Sequence, residues 1–153
     1  MRFIFLLFLF FLNLNLFCQW IPSKFVLQKR DKALEKFYDF EVSIKESNFD
    51  KNIYFIISNK KKIGYLCLRQ SPSKHDVFDY MVILDNNMQI EYMKILAYRE
   101  DYGGEISAKR WLKQFTNRKA EEVQAISGAT ISVNSLKRDI INLKEQMSQW
   151  VQN

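Results

Sequence analysis

Phe78-Asp79-Tyr80-Met81-Val82-Ile83-Leu84-Asp85-Asn86-Asn87-Met88-Gln89-Ile90 contains a strand, a turn and the start of a second strand. Phe78 to Leu84 is an apolar run rich in β-formers, and Gln89 to Tyr98 is another. Between them Asp85-Asn86-Asn87 supplies side chains that hydrogen-bond their own backbone and accept a tight turn, so the two strands should pair antiparallel. Moving toward the N-terminus, Ile63 to Arg69, Ile53 to Ser58 and Phe40 to Lys45 repeat the strand signature. Lys60-Lys61-Lys62 reads as a solvated turn between two of them.

Helical periodicity flanks the strands. Phe25, Val26, Ala33, Leu34, Phe37 and Tyr38 recur at helical spacing among Lys29, Arg30, Lys32 and Lys36, which predicts an amphipathic leading helix packed on the sheet. Val133, Leu136, Ile140, Leu143, Met147 and Trp150 are spaced 3, 4, 3, 4 and 3, the signature of a closing helix with one apolar face. Trp111, Leu112 and Phe115 mark a short helix near Ala108 to Phe115, too short to persist without packing on the sheet. Glu122 to Ile126 reads as a brief extended piece. The fold class is α+β: a twisted antiparallel sheet with a leading amphipathic helix and a C-terminal helix. No repeat or linker divides the chain, and 153 residues at 48% hydrophobic content suffice for one domain and a targeting segment.

That targeting segment is Met1-Arg2 followed by the apolar run Phe3 to Leu12, the pattern of a secretory signal and shorter than the roughly 20 residues that span a bilayer. The expected organisation is a signal peptide over residues 1–18 and one domain over residues 19–153. Cleavage after Cys18 is the favoured reading; lipidation of Cys18 and an uncleaved membrane anchor are its alternatives. All three place the domain outside the cytoplasm, periplasmic or otherwise extracytoplasmic, whether secreted or membrane-anchored.

Removing residues 1–18 takes Arg2 with it and leaves 22 basic against 17 acidic residues, a net charge of +5. Such a surface favours anionic phospholipid heads or acidic partner proteins, so membrane association is expected and nucleic acid is not. Cys67 would then have no intramolecular partner, and within Ile63 to Leu68 it reads as a small buried thiol.

Ser127-Gly128-Ala129-Thr130 stands directly before the closing helix. Unpaired N–H groups and the positive end of the helix dipole favour an anion at that place. Gly128 allows a φ angle other residues avoid, Gly128 and Ala129 both keep bulk away from an incoming phosphate, and Thr130 offers a hydroxyl. From these residues alone a plain turn with Thr130 or Ser132 capping the helix stays open.

The motif resembles the attachment motif of the FMN-binding domain family, in which the last Thr carries FMN through a phosphoester. That family includes flavin-bearing peripheral subunits of the sodium-pumping NADH:quinone oxidoreductase and of the membrane-bound ferredoxin:NAD oxidoreductase. Phe78 to Asp85, Ile90 to Leu96 and the loop Tyr98-Arg99-Glu100-Asp101-Tyr102-Gly103-Gly104-Glu105-Ile106 also look like the family, and the similarity runs from about Phe55 to Leu143. Many members read Glu-Thr-Pro-Gly-x-Gly in that loop; here Glu100 is followed by Asp101 and Tyr102, with no Pro. The resemblance implies covalent FMN on Thr130, with Ser127, Gly128, Ala129, Gly103, Gly104 and Glu100 as further cofactor-binding residues.

A Thr hydroxyl is a poor nucleophile, and no His or Cys lies near Thr130 in sequence to activate it, so self-attachment is not expected. The resemblance implies instead a separate Mg-dependent flavin transferase that uses FAD as the donor. Redox partner proteins would complete the set of partners.

No catalytic residue and no metal site are assigned. His75 is the sole His and reads as part of a surface loop, while Glu100 and Glu105 read as solvated or capping carboxylates. Tyr98, Tyr102 and Trp111 could stack on a flavin, though core packing is the commoner fate of such rings. The expectation is an exported electron-transfer flavoprotein domain rather than a stand-alone enzyme. Its alternative is a secreted binding or structural module of the same fold with no flavin or a noncovalent one.

Overall fold

The computed structural model describes residues 20–152, so the expected signal peptide lies outside the described residues. The chain enters through helix α1 (Lys24–Phe37), started by Ser23, whose side chain accepts from the Val26 N–H. Five strands follow as a meander: β1 (Ser43–Glu46), β2 (Ile53–Ser58), β3 (Lys61–Pro72), β4 (Val77–Asp85) and β5 (Ile90–Ala97). Every neighbouring pair is antiparallel. The expected α+β class and the expected hairpin across Asp85-Asn86-Asn87 are both present.

Register explains why β4 shows no polar alternation. Ile53, Cys67, Val82 and Met93 form one row across four strands and point to one face. Tyr54, Leu66, Ile83 and Tyr92 form the adjacent row and point to the other. The closing helix α4 (Thr130–Gln152) covers the first face and α1 covers the second, so both sides of β4 are dry and its run from Tyr80 to Leu84 is apolar without a break. Along α4, Val133, Leu136, Ile140, Leu143 and Met147 are all buried, as their spacing predicts, and half-buried Trp150 stacks on Phe49. Burying a side chain of this size is worth about 1.5–3 kcal/mol, so this face alone ties the helix to the sheet.

Edges and connections carry the differences from expectation. β1 begins at Ser43 rather than Phe40 and is short and charged, features that discourage pairing with another chain. The β2–β3 turn is built on Asn59 and Lys60, both at positive φ, while Lys61 and Lys62 already belong to β3. The expected helix at Ala108 to Phe115 is two four-residue pieces, α2 (Lys109–Leu112) and α3 (Gln114–Asn117), hinged at Lys113. They bury Trp111, Leu112 and Phe115 in the core beneath α4.

Candidate functional site

In a meander the end of β3, the start of β4 and the end of β5 share one end of the sheet. Cα pairs Pro72↔Val77 and Asp79↔Ala97 fix that end here. Three segments therefore meet: the loop 73–76, the loop 98–104 and the approach to α4 at 126–132.

The last two touch directly. Gly103 has φ +83, and a Cβ there would lie 2.7 Å from the Tyr98 hydroxyl oxygen and 3.4 Å from the Ala129 Cβ. Only a residue without a side chain lets the loop settle against the motif. The Tyr98 hydroxyl sits at the junction, 3.0 Å from the Tyr102 carbonyl to which it donates and 3.1 Å from Ser132 Oγ. Ser135 Oγ donates at 2.5 Å to the carbonyl of Pro72, drawing the end of β3 toward the same helix turn. From the other side, Trp111 Nε1 donates at 2.8 Å to the Gln124 carbonyl and Gln114 Oε1 accepts from the Gln124 N–H at 3.1 Å, so α2 and α3 hold the strand of chain that leads into the motif.

The start of α4 bears on the choice between a capped turn and an anion site. The Val133 N–H bonds the Ala129 carbonyl at 2.9 Å, which makes Ala129 the capping position. Alanine has no side-chain acceptor, and the Ser132 hydroxyl is engaged with Tyr98. Thr130 is thus the first helical residue and exposed, not a cap. The N–H groups of Thr130, Ile131 and Ser132 precede the helix's own ladder and sit at the positive end of a 23-residue dipole. Gly128 has φ +81 with nothing within 4 Å of a built Cβ, so space lies open directly before that N-terminus.

A cleft of about 570 Å³ opens beside Gly128, walled by Lys74 and His75 on one side and by Arg99, Glu100, Asp101 and Tyr102 on the other. Tyr102 and Ile131, 84% and 51% exposed, offer apolar surface close to the motif. The Arg99 guanidinium is anchored, donating to the Val77 carbonyl at 2.8 Å and pairing with the fully buried Asp79 carboxylate. Gln70 Nε2 supplies the other bond to Asp79 at 2.8 Å, so this buried charge is paired and hydrogen-bonded.

Glu100 has a structural duty within the cleft. Its Oε1 accepts from Ser73 Oγ at 2.6 Å, from the His75 N–H at 2.5 Å and from the Asp76 N–H at 3.0 Å. These bonds hold its carboxyl below the usual glutamate range, the Ser73 hydroxyl contributing most. Glu100 therefore clasps the loop 73–76 against the loop after β5. Gly104 opens the short 3₁₀ turn Gly104–Ser107 with open space around it.

Two features escaped sequence reasoning. Loop 73–76 joins the site, and His75, a surface-loop residue as expected, lines the cleft. The meander itself was the signal, since it returns that loop to the end of the sheet where β5 stops. The second is a polar cluster under α4, in which the partly buried Arg69 pairs through Nη2 with Asp139 Oδ1 at 2.6 Å and the buried Tyr80 hydroxyl donates to Asp139 Oδ2. Burial and the Asp139 charge push the Tyr80 phenol well above its ordinary value, so it stays a donor. Tyr98 packs its ring against Phe78 and Trp111 lies in the core, whereas Tyr102 faces the cleft.

The arrangement defines a class: an α+β domain with an uncapped helix N-terminus and an exposed hydroxyl just past an open glycine, which borders a cleft walled by Lys74 and Arg99 together with Glu100 and Asp101. A model of the FMN-binding domain family matches residues 74–143, a stretch from the cleft loop to the middle of α4. This is the family that Ser127 to Thr130 resembles, and the match supports FMN as the cofactor and flavin electron transfer as the chemistry. No curated protein matches the chain. The residues present fit the group: a phosphate suits the first turn of α4, Gly128 leaves room for it, and the cleft beside Gly128 offers the exposed Tyr102 ring to a planar heterocycle.

Proposed function

We propose that this chain is an exported flavoprotein domain that carries FMN through a phosphoester to Thr130 and passes electrons between partner proteins at or outside the cytoplasmic membrane. The observation that carries this reading is the uncapped start of α4, with Ala129 at the cap and the exposed Thr130 as the first helical residue, two positions after the Gly128 that lines the cleft. When bound, FMN supplies the one- and two-electron chemistry.

The chain's own part is attachment, orientation and exclusion of wrong geometry. First-turn N–H groups of α4 hold phosphate charge, and Gly128 keeps side chains out of its path. Gly103 against Ala129 fixes the distance between motif and cleft wall. Among the described residues no base is hydrogen-bonded to the Thr130 hydroxyl, which supports attachment by a separate flavin transferase acting on this chain as substrate. A covalent link suits an exported carrier, because a dissociated cofactor would be lost by dilution.

Coexpression with a flavin transferase tests the proposal. The denatured protein should fluoresce in a gel and its intact mass should include one FMN; Thr130→Ala should give a dark band with unchanged folding. A dark wild-type band from a competent system overturns covalent attachment, and flavin that leaves on denaturation assigns a noncovalent site instead.

A further inference from the structure

Helix α1 gathers three of its lysines on one stripe, while Lys24 shares the other margin with Asp31 and Glu35. Phe25, Lys29, Lys32 and Lys36 are spaced 4, 3 and 4 and form one stripe along its exposed side. Asp31 and Glu35 lie roughly 110° around the axis at 100° per residue, on the far margin of that side. The stripe faces edge strand β5, where Lys94 stands, and the adjoining α2 adds Lys109. Between these elements runs a seam with two basins. One, of about 380 Å³, is lined by Phe25, Lys29, Lys32, Lys94 and Ile95. The other, of about 270 Å³, has Phe37, Tyr92 and Met93 as its apolar lining, with Lys109 and Lys113 as its cations and Glu91 as its carboxylate.

Among the described residues, ion pairs are made by Arg30, Arg69 and Arg99 and by none of these lysines. Lys29 lies instead over the Phe25 ring, 4.3 Å from its centroid. Lys94 is held below the ordinary lysine range, first by partial burial and then by Lys29, Lys109 and Lys36, so these ammonium groups share one field, with Glu91 as the carboxylate beside Lys109 and Lys113. At the two ends of α1 the surface turns apolar: Ile21 and Phe25 are 84% and 54% exposed at the start, and Phe40 is 52% exposed just past the end.

We infer that this face, the lysine stripe of α1 with Lys94 and Lys109, is a docking surface for an anionic phospholipid bilayer. Lysine ammonium groups meet the phosphates while their stems and the exposed Phe25 and Phe40 rest in the interfacial layer. No helix among the described residues is long and apolar enough to cross a membrane, so this contact is with the surface. An acidic protein would satisfy the charges but would leave Ile21, Phe25 and Phe40 without apolar partners unless it carried matching ones.

Amine footprinting of the full chain reads the contact directly, whatever the fate of its N-terminal segment. With phosphatidylglycerol vesicles at low salt, acetylation of Lys29, Lys32, Lys36, Lys94 and Lys109 should slow at least about fivefold, and Lys51, Lys60 and Lys61 should be unaffected. Phosphatidylcholine vesicles should give no such pattern, and 1 M salt should abolish it. The triple variant Lys29→Gln, Lys32→Gln, Lys36→Gln should lose the protection of Lys94 and Lys109. An equal loss of charge through Lys51→Gln, Lys60→Gln and Lys61→Gln should keep it. Protection spread evenly over all lysines, equal effects of the two triple variants, or protection by soluble poly-glutamate but not by vesicles would each overturn the proposal.

Discussion

Gly103→Ala separates the packing role of the cleft loop from its role in holding a cofactor. At φ +83 an L-residue carries a backbone cost of about 1–2 kcal/mol. The new Cβ also lies 2.7 Å from the Tyr98 hydroxyl oxygen, closer than atoms tolerate, so that hydroxyl must move. Moving it gives up its bonds to the Tyr102 carbonyl and to Ser132 Oγ, each worth about 1 kcal/mol net. The expected loss is about 3–4 kcal/mol. Gly128→Ala provides the contrast: its φ of +81 carries the same strain, but nothing lies within 4 Å of the added Cβ, so about 1–2 kcal/mol should be lost. Urea unfolding at neutral pH measures both. Tyr98→Phe removes the obstructing oxygen, so Gly103→Ala made in that background should cost about 1–2 kcal/mol less than in the wild type. Flavin loading should rank the other way, with folded Gly128→Ala the more impaired because its methyl stands before the first turn of α4. Equal stability losses at the two glycines, or strict additivity of Gly103→Ala with Tyr98→Phe, would refute the reasoning.

Three further outcomes are expected. Glu100 has a lowered carboxyl pKa in the folded state, so its contribution is complete above the ordinary glutamate range and disappears as the pH falls through the folded value. The protection factors of the His75 and Asp76 amides, referred to the intrinsic exchange rate at each pH, should therefore fall on acidification, and Glu100→Gln should give low protection that no longer follows this titration. Cys67 is fully buried and its thiol is pushed up to about 12, mainly by loss of hydration, so it should resist iodoacetamide at pH 8 in the native protein and react fully in urea. Asp139→Ala strands Tyr80 and Arg69 together and should lower stability by about 2–4 kcal/mol, more than Tyr80→Phe at about 1.5–3, both read from thermal melts.

Periodicity made most of the fold legible. The 3, 4, 3, 4, 3 spacing from Val133 to Trp150 named the buried face of α4 residue by residue, because a helix repeats its environment every few positions. Strand boundaries were less legible at Phe40, which lies in a bend after α1, so that pairing with β2 begins only at Ser43. At Lys113 the backbone angles stay helical, but the Thr116 N–H turns back to the Lys113 carbonyl three residues earlier and the expected short helix divides in two.

From the residues alone came the order of five strands between two helices and the chemistry of Ser127 to Thr130, since alternation, helical spacing and motif are properties of neighbours along the chain. Tertiary structure decided what those neighbours meet. It seated Gly103 on Ala129 and set Tyr98 against Ser132, 34 residues away in sequence. It brought loop 73–76 under the carboxylate of Glu100 and paired Arg69 with Asp139 across 70 residues. Such contacts depend on sheet register and helix placement, which follow from how the two cores pack, and no local pattern encodes them.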